Sequence, residues 1–240
     1  MKKIIGVAML ASAAMSGAAN AEVSGNIALV SDYVFRGVSL SDESPAVQGG
    51  FDWSSADEMF YAGVWGSSLA EGSELDVYGG WTPTTGPVSW DIGLVGYFYP
   101  GADDDGAEFD YFEGLVAGSI NPMDALTLGA AVHYTPENYG ETGEAIYLEA
   151  NAGYSFTDQF SVSGAFGNQS VDDVDGPGGA NVEDDYSTWN VGGTYALHGF
   201  TLDLRYSDTD IDDSDAIAVA GYASTEASDG RVTFSIGRAL

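Results

Sequence analysis

The sequence predicts an all-β protein, an antiparallel transmembrane β-barrel of about twelve strands behind a cleavable N-terminal export signal. Three observations carry that reading: apolar and polar residues alternate with period two in about a dozen short segments, the connectors are short and long in turn, and the N-terminus has a charged, apolar, small-residue order. Lys2 and Lys3 precede an apolar run from Ile4 to Met15, and Ala19, Asn20 and Ala21 stand before Glu22, so cleavage is expected between Ala21 and Glu22. The chain therefore divides into a signal peptide, 1–21, and one barrel domain, 22–240. The apolar run is shorter than the roughly 20 residues a spanning helix needs. No later stretch reaches that length either, so any membrane crossing is by strands.

In order along the chain, the first apolar phase is Val23, Ile27, Leu29, Tyr33 and Phe35, with Ser24, Asn26, Ala28, Asp32 and Arg36 opposite. One long strand is expected there. Val47, Phe51 and Trp53 repeat the pattern, as do Phe60, Ala62 and Val64, then Leu75, Val77 and Trp81, then Val88, Trp90, Ile92, Leu94 and Phe98. Further strands are expected within 112–120, 126–134, 146–154, 160–166, 189–197, 200–206 and 232–236. The even total suits a bacterial single-chain barrel; 216–224 alternates weakly and is read as a loop because a thirteenth strand would break that parity. Short turns are expected at 54–58, 83–87, 121–125, 157–158 and 198–199. Longer connectors fall between them at 37–45, 100–108, 136–143, 169–185 and 208–230, with 69–73 as a short exception on the long-loop side.

Period two alone does not say whether the apolar face points in or out. Aromatic placement does. Trp53, Phe60, Trp81, Trp90, Tyr154, Phe160, Tyr195 and Phe200 lie beside the short turns, and Phe35, Phe98, Tyr134, Phe166, Trp189 and Tyr206 lie toward the long loops, as two interfacial girdles would demand. The final segment, with Val232, Phe234, Ile236 and Leu240 in one phase, is expected to pair with the first and close the sheet, since an open edge in lipid leaves backbone groups unsatisfied.

The run from Gly25 to Ser39 (GNIALVSDYVFRGVS), with Ala46 to Phe51, 61–66, 74–79 and 99–101 after it, resembles the opening half of TorF-type porins, a bacterial family long carried as a domain of unknown function. The spacing to the closing strand fits across nearly the whole mature chain. The resemblance implies an outer-membrane location and a pore, with no agreed substrate. Terminal strands of outer-membrane proteins usually end in Phe, so Leu240 departs from the signal read by the barrel-insertion machinery.

Charge limits the partners. Beyond the signal the chain keeps Arg36, Arg205, Arg231 and Arg238 and no lysine against 37 acidic residues, a formal charge of −33, which repels nucleic acid and favours cations. With no cysteine, disulfides, thiolate nucleophiles and Cys-based zinc sites are absent. The histidines, His133 and His198, have no Ser or Asp at a spacing that marks a nucleophile set, and no phosphate-cradling Gly motif opens a helix, so no enzyme is expected. A lone lumenal His133 reads as a hydrogen-bonded packing residue.

In a barrel the polar phase faces the lumen. It collects Asp32, Arg36, Asp76, Asp91, Glu113, Glu149, Asp203, Arg205 and Arg231, the expected pore-lining set, in which Asp32 with Arg36 and Asp203 with Arg205 share a face. Such a set is either a charged constriction that selects ions or a network of salt bridges that plugs the barrel. The acidic loops, including Asp208, Asp210 and Asp212 at alternate positions, suit hard cations. The glycine and distal Glu of an EF-hand are missing, so no specific metal site or cofactor is expected beyond loosely held Ca²⁺ or Mg²⁺. Two functions follow as expectations: a passive, cation-preferring diffusion channel for small solutes or ions, or a closed structural barrel whose acidic outer loops bind divalent cations, lipopolysaccharide or another surface.

Overall fold

A computed structural model describes residues 21–102, 108–171, 185–211 and 226–240. The export signal in 1–20, the acidic groups of 103–107 and 172–184, Asp212, and the segment 216–224 lie outside the described residues. Fifteen strands form among the described residues: β1 (Glu22–Val30), β2 (Val34–Phe35), β3 (Val38–Ser39), β4 (Ala46–Ser54), β5 (Phe60–Ser68), β6 (Ser73–Trp81), β7 (Thr84–Thr85) and β8 (Val88–Phe98), then β9 (Tyr111–Met123), β10 (Leu126–Thr135), β11 (Ala145–Ser155), β12 (Phe160–Val171), β13 (Asp185–Leu197), β14 (Phe200–Thr209) and β15 (Arg231–Ala239).

Twelve of them, all but β2, β3 and β7, make one closed antiparallel wall in which each strand pairs with its neighbours in the chain and β15 returns to β1. The closing register sets Leu29 against Ile236 and Val30 against Ser235, and the Leu240 N–H donates to the Gly25 carbonyl at 2.8 Å. No strand edge is left open, which is what lipid requires of a sheet. The wall strands run from 9 to 13 residues, the length that crosses a bilayer when tilted.

The apolar phase points outward. Ile27, Leu29, Phe51, Leu94, Val116, Leu148, Val191, Leu204 and Val232 are all exposed, and all eight aromatics beside the short turns are exposed with them. At the other end Tyr134, Phe166 and Tyr206 are exposed and Phe98 and Trp189 partly so. Buried residues are instead largely polar, Gln48, Glu74, Asp76, Glu113, Thr135, Gln169 and Thr188 among them. This inside-out distribution belongs to a barrel solvated by hydrocarbon.

Connector lengths alternate as expected, including the short outer connector 69–72. The shortest turns between wall strands, at 124–125 and 198–199, have two residues each; in the second Phe200 pairs with Leu197, and His198 (φ +51°) and Gly199 (φ +82°) both adopt the left-handed conformation of a type I′ hairpin. Some elements run longer than alternation suggests. Asn121 to Met123 belong to β9, past an irregularity opposite Leu126–Leu128, and β12, β13 and β14 reach into segments expected to be loop.

One element differs in kind. The alternation of Tyr33 and Phe35 does not continue β1, which ends at Val30. Residues 31–45 leave the wall and turn inward, with β2 and β3 paired through Phe35 and Val38 as a hairpin. Phe35 is therefore not part of the outer girdle. Its ring lies edge-on to Tyr97 inside the barrel, at 6.0 Å.

Candidate functional site in the barrel lumen

The hairpin's two-residue tip fixes the centre of the site. Arg36 (φ +47°) and Gly37 (φ +87°) are both left-handed, the type I′ geometry that matches the strand twist. Gly37 packs so tightly on β13 and β14 that a Cβ there would stand 2.4 Å from Thr209 Cγ2 and 2.5 Å from Thr188 Oγ1. Only glycine fits.

From that tip the Arg36 guanidinium reaches the wall in three directions. Nη2 donates to Glu113 Oε2 on β9 at 2.7 Å, Nη1 donates to Gln169 Oε1 on β12 at 2.9 Å, and the cation lies 4.3 Å from the centre of the Tyr147 ring on β11. Glu113 is almost fully buried; its other oxygen lies 2.7 Å from His133 Nδ1, and Tyr97, stacked on Tyr111 at 4.6 Å, faces it. His133 is thus a hydrogen-bonded packing residue.

The base of the hairpin is clamped separately. Asp32 accepts from Ser39 (2.6 Å), Ser41 (2.8 Å) and Arg231 Nη1 (2.9 Å), and Arg231 also pairs with Glu43 at 3.3 Å. Val38 packs with Tyr186 and Ala227. Tyr33 donates to Glu74 on β6 at 2.7 Å. The inserted segment thus touches β6, β8, β9, β11, β12, β13 and β14, all near their long-loop ends.

Asp32 and Arg36, expected to share a strand face, belong to different clusters and bind different partners, because the chain turns between them. Arg205 and Asp203 do meet, at 3.2 Å, and Arg205 further donates to Asn190 (2.6 Å) and Ser163 (3.0 Å). Nearer the short turns the polar groups are only half-buried. Asp91 accepts from Tyr61 (2.8 Å), Glu149 from Asn151 (3.0 Å) and Tyr147 (3.2 Å), and Asp52 from Tyr78. Asp76 is buried on the same face of β6 as Glu74. The interior is therefore tight at the hairpin and looser beneath it.

The acidic candidates outside the lumen are engaged locally. Asp208, next to last in β14, accepts from Tyr206 (2.6 Å), and Asp210 accepts the Ser187 N–H (2.6 Å). Among the described residues no group of three His, Asp or Glu side chains could hold a metal ion. Sequence reasoning missed Gln169, Tyr97 and Tyr147 as lumenal partners and left Glu74 out of the pore-lining set. The signal for Glu74 was present, since it shares the phase of Asp76.

Residues 14–240 match the model of a bacterial protein family of unknown function, Gcw_chp. The chain belongs to the Gcw_chp family. No curated protein matches it. Among solved structures this Gcw_chp chain is similar to the NanC porin, with a TM-score of 0.58 at 9% identity over 89% of this chain and 97% of that one. It is also similar to the KdgM porin, solved in complex with disordered oligogalacturonate, with a TM-score of 0.54 at 10% identity over 91% and 98% of the two chains. At such identities the likeness is one of fold, and the Gcw_chp barrel has the fold of outer-membrane porins.

Proposed function

We propose that this protein is a passive, cation-preferring diffusion channel of the bacterial outer membrane for small solutes, narrowed by the hairpin at residues 34–39. The observation that carries the reading is the polar lumen inside a closed, apolar-coated barrel, with an eyelet built on Arg36 and Glu113. The porin fold of its structural neighbours supports the same reading.

Selectivity follows from charge. Arg36, Arg205 and Arg231 are each paired with a carboxylate, whereas Asp52, Asp91 and Glu149 accept only neutral donors. A lumen with its cationic groups neutralised and its acids free attracts cations and repels anions such as acidic oligosaccharides.

Swelling of liposomes that contain the refolded chain tests this. Lysine should enter faster than glutamate of similar size, and both faster than into protein-free liposomes. Equal rates would remove the cation preference. No swelling from verified folded barrels would overturn the channel and favour a closed barrel acting through its acidic loops, a reading that the hairpin's many wall contacts also suit. Deletion of 172–184 would then abolish surface attachment while folding survives.

A further inference from the structure

Glu74 and Asp76 stand two residues apart on β6, so both point to the same face, roughly 6.6 Å apart along the strand. Each is buried, to 3% and 2% exposure. Glu74 accepts the Tyr33 hydroxyl at 2.7 Å and a hydrogen bond from Tyr99, but Asp76 Oδ1 has no hydrogen-bond partner. Nor is any basic side chain left to serve them. The chain beyond residue 21 has four arginines and no lysine, and each arginine is engaged elsewhere: Arg36 with Glu113, Arg205 with Asp203, Arg231 with Asp32 and Glu43, Arg238 over the Phe200 ring. His133 lies against Glu113. Two buried carboxylates without a counter-charge are among the most unfavourable arrangements a protein interior can hold.

We infer that Glu74 and Asp76 bind a hard divalent cation of the calcium type in the barrel lumen. Two carboxylates match its charge, and their oxygens are the donors such an ion selects, with water completing the six to eight ligands it takes. Tyr33 ties the site to the hairpin, so the ion also braces the inserted segment against β6. The site deepens the channel reading, on which it rests only in that ions must reach the lumen.

The neighbourhood supplies its own probe. Trp65 is the register partner of Asp76, and its ring lies 5.5 Å from that of Tyr33. Tb³⁺ bound at the two carboxylates would be sensitised by tryptophan excitation. The refolded chain in detergent micelles is titrated with Tb³⁺, then with Ca²⁺ as competitor. Wild type should give saturable emission that Ca²⁺ displaces. Glu74→Gln with Asp76→Asn should lose at least four-fifths of it, while neutralising Asp208 and Asp210 in the outer segment should leave it intact. Trp65→Phe should lose the emission yet keep the upward shift of melting temperature that Ca²⁺ gives wild type. Heat-modifiable migration on a gel establishes that each variant is folded. Unchanged emission in the folded Glu74→Gln, Asp76→Asn barrel, or Ca²⁺ giving that variant the same thermal shift as wild type, would overturn the inference, with the acidic loops or a shared proton as the alternative. Because the assay reads binding without a bilayer, a silent channel and an absent site are separate results.

Discussion

Removing the Arg36 guanidinium would leave Glu113 buried with only His133 and Tyr97 beside it. Breaking a buried pair from one side costs about 3–5 kcal/mol, much of it the cost of the orphaned charge. Arg36→Ala should therefore destabilise the barrel by about that much in urea unfolding, and Arg36→Ala with Glu113→Gln should recover part of the loss, because the second change removes the orphan. Equal destabilisation by the single and double variants would mean that Arg36 acts through packing on Phe35 and Tyr147 rather than through charge. Arg36, Glu113 and His133 were legible in the sequence as polar-phase residues, but Gln169, Tyr97 and Tyr147 were not, nor was the partnership of any of them. Arg36 and Glu113 are 77 positions apart, and only the inward turn of the chain brings them to 2.7 Å.

At the scale of elements, the twelve wall strands were readable because a face in lipid and a face in a wet lumen force strict alternation on every strand. The hairpin was not, for the same reason. Tyr33 and Phe35 carry an alternation that would serve in the wall, and what marks the departure is Gly37, the residue able to sit against Thr188 and Thr209. Gly37→Ala puts a methyl into that contact and a side chain at φ +87°, so the hairpin should unseat. Limited proteolysis should then cut within 34–39 in the variant and not in wild type, while the barrel stays heat-modifiable. Equal resistance of the two would show that the tip does not depend on glycine. The turn at 198–199 offers a contrast. His198 holds a left-handed conformation that glycine or asparagine adopts more readily, so His198→Asn should raise stability by up to about 1 kcal/mol in urea unfolding. A loss of stability would mean that the imidazole makes contacts worth more than the strain.

For the whole molecule, the inside-out distribution of polarity and the charge of −33 on residues 22–240 act together. The first makes the barrel a membrane structure; the second biases what approaches its mouth, an effect that salt screens over about 10 Å at 0.1 M. Cation preference should accordingly fall as salt rises, most steeply for the share that the exposed loops contribute. A preference independent of salt would assign it entirely to the lumen. Closure, strand number and outward face could be read from composition and period, since each is a property summed over the chain. Whether the lumen is open could not, because that depends on one fifteen-residue segment, 31–45, choosing the interior over the wall. The most direct measurement is therefore single-channel conductance of the refolded chain in a planar bilayer under a salt gradient, with Gly37→Ala alongside wild type. Small discrete steps with a cation-selective reversal potential, and larger steps from the variant, are the predicted result; silence from both folded proteins would contradict a channel narrowed by its own hairpin.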